Sequence, residues 1–157
     1  MAGLKMYKGK IGNGDNGFTD FYTGRVSKTD DNVVLMGLID EINAICGFIV
    51  AKYNISILKE IEKINISVMS NIAGYVAREK ILDSIKFIED EIKKIDNADV
   101  KEFVLFERDE KTSILNILRT KIRIAETESW KTNKTEVSIY LNRLSDLIFL
   151  IALKELS

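Results

Sequence analysis

The sequence of 157 residues contains no histidine, no proline and a single cysteine. Without histidine there is no Ser-His-Asp triad, no imidazole base and no zinc site of the usual His-containing kinds. One cysteine excludes a CxxC motif, a Cys-rich metal cluster and an internal disulfide. Charge of one sign is lacking too. The 23 Lys and Arg face 24 Asp and Glu, for a formal net charge of −1, without the basic excess of a nucleic-acid binder. No apolar run approaches the ~20 residues that span a bilayer, and the N-terminus has no secretory h-region. These absences predict a cytoplasmic protein with no nucleic-acid or membrane partner. Its chemistry must rest on carboxylates, Arg, Lys, hydroxyls, backbone amides or a reactive cofactor.

What is present is helical patterning over a length that suits one domain. Residues 1–28 hold six of the nine glycines and lack a 3.6-residue period, which predicts a long loop. From Asp31 the apolar residues Leu35, Leu38, Ile42, Ile45, Ile49 and Tyr53 recur at helical spacing, with Thr29, Asp30 and Asp31 as candidate caps. A second helix is predicted from Ser56 to Glu79 and a third over Ile81, Ile85, Ile88, Ile92 and Ile95, broken by Asn97-Ala98-Asp99. A short extended piece, Phe103 to Phe106, leads into helices from Asp109 to Trp130 and from Thr135 to Leu156. Five helices and almost no strand signal predict an all-α five-helix bundle with a Gly-rich N-terminal loop.

Polar residues cluster in a few places. Lys8-Gly9-Lys10-Ile11-Gly12-Asn13-Gly14-Asp15-Asn16-Gly17 has the glycines and lysines of an anion cradle. It is not a P-loop, since no Gly-Lys-Ser/Thr follows, and alone it reads as a flexible loop. Gly24-Arg25-Val26-Ser27-Lys28 places two cations ahead of a helix N-terminus, which suits a phosphate or simply a solvated basic turn. Asp40, between Ile39 and Ile42, stands at the edge of the apolar stripe, which predicts partial burial. Arg119, Arg123 and Glu126 fall at i, i+4 and i+7 on one helix face. Asn142, Arg143, Ser145 and Asp146 form a second polar cluster, with Asn142 and Asp146 at i and i+4. A solvated outer face with weak ion pairs accounts poorly for a stripe carrying Arg and Asn but no Lys.

These segments, in this order, resemble the ATP:cob(I)alamin adenosyltransferases of the propanediol-utilisation type. Gly14-Asp15-Asn16-Gly17 resembles that family's N-terminal Thr-Gly-Asp-x-Gly loop, and Gly24 to Asp30 its Arg-Val-x-Lys-Asp segment. Gly37-Leu38-Ile39-Asp40-Glu41-Ile42-Asn43 is similar to its Gly-x-x-Asp-Glu-Leu-Asn helix. Leu118-Arg119 through Arg123-Ile124-Ala125-Glu126 resembles its Ala-Arg-x-x-x-Arg-Arg-Ala-Glu helix, and Tyr140 to Phe149 its Asn-Arg-Leu-Ser-Asp-x-Leu-Phe signature. Phe103-Val104-Leu105 falls where the family has Phe-x-Leu-Pro-Gly-Gly.

The resemblance implies an enzyme in which the cobalt of cob(I)alamin attacks ribose C5′ of ATP, releasing tripolyphosphate and leaving adenosylcobalamin. It implies that Arg123, Glu126 and Asn142 position ATP, and that Lys10, Gly14, Asp15, Arg25 and Lys28 hold its phosphates. Asp40 and Arg119 are expected to form a charge pair shaping the cobalamin side, with Phe103 pressing on the corrin face. Arg123, Arg119 and Asp40 are thus the expected catalytic residues. Mg²⁺ accompanies ATP, a flavoprotein reductase is a possible partner, and homotrimers with sites between subunits are expected. The N-terminal loop is expected to order over ATP.

The chain departs from the family pattern at four places. Ile11-Gly12-Asn13 replaces Thr-Lys/Arg-Thr, so that Lys10 or Lys8 stands in for the missing cation or ATP binds more weakly. Ile124 replaces the second Arg of the Arg-Arg pair, and Phe106-Glu107-Arg108 replaces Pro-Gly-Gly. The chain ends soon after Asp146, where family members often continue and close the corrin site. Two alternatives therefore stand beside the enzyme: a degenerate member that binds ATP or cobalamin as a carrier or sensor, and a structural helical bundle.

Overall fold

A computed structural model describes residues 10–95 and 100–157. Gly3, Lys8 and Gly9 of the glycine-rich segment, and the Asn97-Ala98-Asp99 helix break, lie outside the described residues. Five helices follow the apolar periodicity: α1 (Asp31–Tyr53), α2 (Ile57–Ile72), α3 (Arg78–Lys94), α4 (Glu110–Ser129) and α5 (Thr135–Leu156). Their ends have local causes. The Asp30 carboxylate accepts from the Asn32 amide at 2.8 Å to start α1, and Asn54 closes that helix in the left-handed region. Asp109 caps α4 through the Thr112 amide, also at 2.8 Å.

Two expectations need correction. The second helix stops at Ile72 rather than reaching Glu79, because Gly74 adopts φ +94° and turns the chain toward α3. The N-terminal segment is not all loop. Phe18–Phe21 (β1) and Gly24–Ser27 (β2) pair antiparallel, with Phe18 opposite Ser27 and Phe21 opposite Gly24. The hairpin tip docks on the end of α2, where the Tyr22 amide donates to the Ala73 carbonyl at 2.9 Å. The Tyr22 and Tyr75 rings meet edge to face with centroids 5.3 Å apart. The piece from Phe103 to Phe106 is irregular rather than a strand.

All five helices feed one core, including Leu35, Ile39, Ile61, Ile88, Leu118, Ile122, Leu144 and Ile148. A polar chain crosses it: Tyr140 donates to Asn65 Oδ1 at 2.8 Å, and Asn65 Nδ2 donates to Asn43 Oδ1 at 3.2 Å. Helices α4 and α5 lie antiparallel in a register that side chains mark. The hydroxyls of Ser129 and Ser138 meet at 2.6 Å, and three turns away the Arg119 guanidinium lies 5.9 Å from the Phe149 ring centroid.

Helix α1 has the length and the mean hydropathy, 2.0 over an 18-residue window, of a membrane-crossing segment, although Asp40 and Glu41 keep its apolar residues from forming one unbroken run. Asp40 and Glu41 sit mid-helix, where a bilayer centre would penalise them. Only one face of the helix, from Leu35 to Ile49, enters the core, while Val34 and Phe48 remain exposed on another.

Candidate functional site

The antiparallel register of α4 and α5 assembles the site. Arg119, Arg123 and Glu126 occupy one flank of α4, beside rather than within its buried stripe of Leu115, Leu118, Ile122 and Ala125. On α5, Asn142, Asp146 and Phe149 recur at i, i+4 and i+7. The Arg119 to Phe149 and Ser129 to Ser138 contacts bracket this stretch, so Arg123 falls by Asp146 and Glu126 by Asn142. Two clusters read separately in the sequence thus form one strip.

Electrostatics sharpen the picture. Loss of water on burial holds the Arg119 guanidinium below the usual arginine range, and the like charge of Arg123 adds to this. Arg119 Nε donates to the neutral Asn116 Oδ1 at 2.9 Å. Among the described residues neither Arg119 nor Arg123 makes an ion pair. Asp146 is exposed as a residue, yet its carboxyl is pushed above the usual carboxylate range, since lost hydration outweighs the attraction of Arg143 and Arg123. Two guanidiniums that share one face without a salt bridge among the described residues suit an anion.

A cavity of about 560 Å³ opens beside the strip, lined by Phe103, Arg119, Arg123, Ile124, Thr127 and neighbouring residues of α4. Phe103 is fully exposed there. Sequence reasoning missed Trp130, whose indole N–H donates to Glu126 Oε1 at 2.6 Å, and Phe149 beneath Arg119. Their spacings, i+4 from Glu126 and i+7 from Asn142, were the available signals.

Three expected arrangements differ. Asp40 is exposed rather than partly buried, because one residue beyond Ile39 the helix has turned ~100° away from the core. It forms no ion pair with Arg119 within the chain; the bridge between the helices is Lys121 to Glu41 at 2.6 Å. The polar cluster of α5 also divides. Arg143 turns to Glu89 of α3 at 3.1 Å, and the buried Ser145 donates to the Asn142 carbonyl at 2.9 Å.

The N-terminal loop is organised from within. Arg25 donates to the Asn13 carbonyl at 2.9 Å and to Asp20 Oδ1 at 3.1 Å, with longer bonds to Asn13 Oδ1 and Asn16 Oδ1. The Lys28 ammonium lies 2.6 Å from where a Cβ on Gly14 would stand, so glycine there leaves room for the cation. Asp15 lies one residue on, its carboxylate folded back toward Gly12. Gly14, Asp15 and Lys28 therefore share one loop surface, which Lys10 joins through its carbonyl, accepting from the Asn13 amide at 3.0 Å. Among the described residues no hydrogen bond or ion pair links this loop to Arg123, Glu126 or Asn142 of the same chain.

The sequence model of a family described as cobalamin adenosyltransferase matches residues 10–155. Among solved structures, the chain is similar to an arginine-to-lysine variant of the PduO-type ATP:co(I)rrinoid adenosyltransferase from Lactobacillus reuteri complexed with ATP. Identity is 25%, with a TM-score of 0.77 over 91% of each chain. A phenylalanine-to-alanine variant from the same organism, complexed with cobalamin and ATP, is similar at 25% identity and a TM-score of 0.77. That match covers 91% of this chain and 90% of the other. No curated protein sequence matches the chain.

Proposed function

The chain belongs to the cobalamin adenosyltransferase family, and from that premise we propose that its α4–α5 strip holds ATP for transfer of the adenosyl group to cobalt. The reaction moves the 5′-deoxyadenosyl group of ATP to cob(I)alamin: a Co–C5′ bond forms, the C5′–O bond breaks, and tripolyphosphate leaves with the electron pair. One observation carries the assignment. Arg119 and Arg123 share a face beside a cavity of about 560 Å³ that also takes Phe103, and among the described residues neither is held in a salt bridge, although Asp146 lies near Arg123.

Cobalt brings its own nucleophile, so the protein need only orient ATP and stabilise charge on the leaving group. Arg123 faces the triphosphate, where a guanidinium can bind two oxygens at once. Glu126, steadied by Trp130, and Asn142 orient the nucleoside. Lys28, Lys10 and the Gly14-Asp15 backbone take the outer phosphates, with Arg25 setting the loop. Phe103 presents its ring to the corrin. Mg²⁺ enters in this proposal as part of the substrate, MgATP, where it neutralises phosphate charge.

The loop and the strip belong to neighbouring subunits in this proposal, which accounts for the lack of a link between them within one chain. Exposed Val34 and Phe48 on the apolar α1 support a homotrimer, and exposed Asp40 reaches Arg119 across that interface. The cytoplasm, with its ATP, is the proposed location, and a flavoprotein reductase supplies Co(I).

Chemically reduced cobalamin and MgATP, mixed anaerobically with the protein, should yield the light-sensitive spectrum of adenosylcobalamin. ATP binding without product would favour the carrier or sensor instead. Binding of neither ligand would leave the structural bundle.

A further inference from the structure

We propose that Arg108 is a positioning residue, a clasp that ties the Phe103 segment to the end of α5 and so sets the ring over the cavity. The inference rests on the adenosyltransfer reading of that cavity. It starts from an alternation in the irregular segment before α4. Val104 and Phe106 face inward and pack on the core, while Phe103 and Leu105 face out, at 104% and 72% exposure. Phe103 therefore has no packing of its own to fix it. Its position depends on how firmly the next few residues are held.

Three contacts hold them. Phe106 is buried edge-on against Phe149, with ring centroids 6.0 Å apart and planes at 83°. The Ser113 hydroxyl donates to the Phe106 carbonyl at 2.6 Å. Arg108 closes the far side: its guanidinium donates to the Leu156 carbonyl and, at 2.8 Å, to the Glu155 carbonyl, while Nε meets Asp109 Oδ2 at 3.1 Å. The last carbonyls of a helix have no partner within it, and a cation is favoured there. One side chain thus joins the end of α5, the cap of α4 and the segment bearing Phe103. Phe149 in turn lies under Arg119, so the clasp extends to the strip itself.

The test compares wild type, Arg108→Ala and Arg108→Lys, each confirmed folded by circular dichroism. In Arg108→Ala, amide hydrogen exchange at Thr112 and Ser113, whose N–H groups donate to the Asp109 that Arg108 pairs with, should quicken while α1 and the middle of α5 keep their protection. The KM for cob(I)alamin should rise about tenfold, below the ~10²-fold that a 1 Å misplacement can cost, with the KM for ATP nearly unchanged. Arg108→Lys, keeping one donor and the charge, should recover part of both effects. Unchanged exchange overturns the clasp. Faster exchange with an unaltered KM for cob(I)alamin overturns its positioning role. A wild-type protein without turnover overturns the adenosyltransfer reading and, with it, the role assigned to Phe103, while exchange alone still decides whether Arg108 is a clasp.

Discussion

Tyr140 donates its phenolic hydrogen to Asn65 Oδ1 at 2.8 Å, with both residues at 0% exposure. Asn65 passes the contact to Asn43 on α1, so one chain of polar groups spans three helices within an apolar core. Tyr140→Phe should keep the packing but leave the Asn65 oxygen without a donor, which costs about 1–3 kcal/mol. Urea unfolding measures it, and a loss well below that range would mean that Asn65 finds another partner.

Cys46 gives a pH dependence. Burial, with help from the nearby Glu62 and against a backbone hydrogen bond, pushes its thiol from 9.0 up to about 12. The folded thiol therefore keeps its proton where the unfolded one has lost it. This contribution is fully present below about pH 9 and fades as pH rises toward 12, at about 1.4 kcal/mol per pH unit. Buried Tyr140 is raised well above 10.0 and adds to the decline at higher pH. Unfolding curves between pH 8 and 10 should steepen this way in wild type and flatten in Cys46→Ala.

Gly74 tests the docking of the hairpin. A Cβ there would stand 3.3 Å from Tyr22 Cβ on a backbone at φ +94°. Gly74→Ala should cost roughly 1–2 kcal/mol from the left-handed geometry alone and loosen the Tyr22 contact. Limited proteolysis should then cut near residues 18–27 sooner than in wild type, with α4 and α5 still protected.

On the proposed roles, substitutions at Arg123 and Asp40 should separate the two substrates. Arg123→Ala should lower turnover by about 10²–10³-fold, the usual loss for one charge-stabilising donor, without unfolding the bundle. Asp40→Asn should weaken cob(I)alamin handling more than ATP binding. Equal losses for both ligands, measured by separate titrations of each, would count against this division of roles.

The helices were legible because each buries a face set by local spacing, as in Ile81, Ile85 and Ile88 of α3. Their pairing was not. That Glu126 lies by Asn142 depends on the register of two helices, which no local pattern encodes. The hairpin escaped notice for another reason. Its strands are four residues long and joined by Tyr22-Thr23, without the Asn-Gly or Asp-Gly signal of a tight turn. It is held by the Ala73 carbonyl and Tyr75, both distant in sequence. Asp40 misled because its neighbours Ile39 and Ile42 are buried while the helix rotates it outward. The resemblance named Asp40 and Arg119 as a pair, and within one chain the helices leave them without a bond.

Arg25 binds acceptors from Asn13, Asn16 and Asp20 at once, which closes the loop on itself within the chain. The part of the loop's ordering entropy that these bonds meet belongs to folding rather than to binding. Apparent affinity for ATP then scales with the fraction of molecules in which this closure is intact. Substitutions at Asn16 or Asp20, residues with no assigned role toward the ligand, would weaken ATP binding through that population alone.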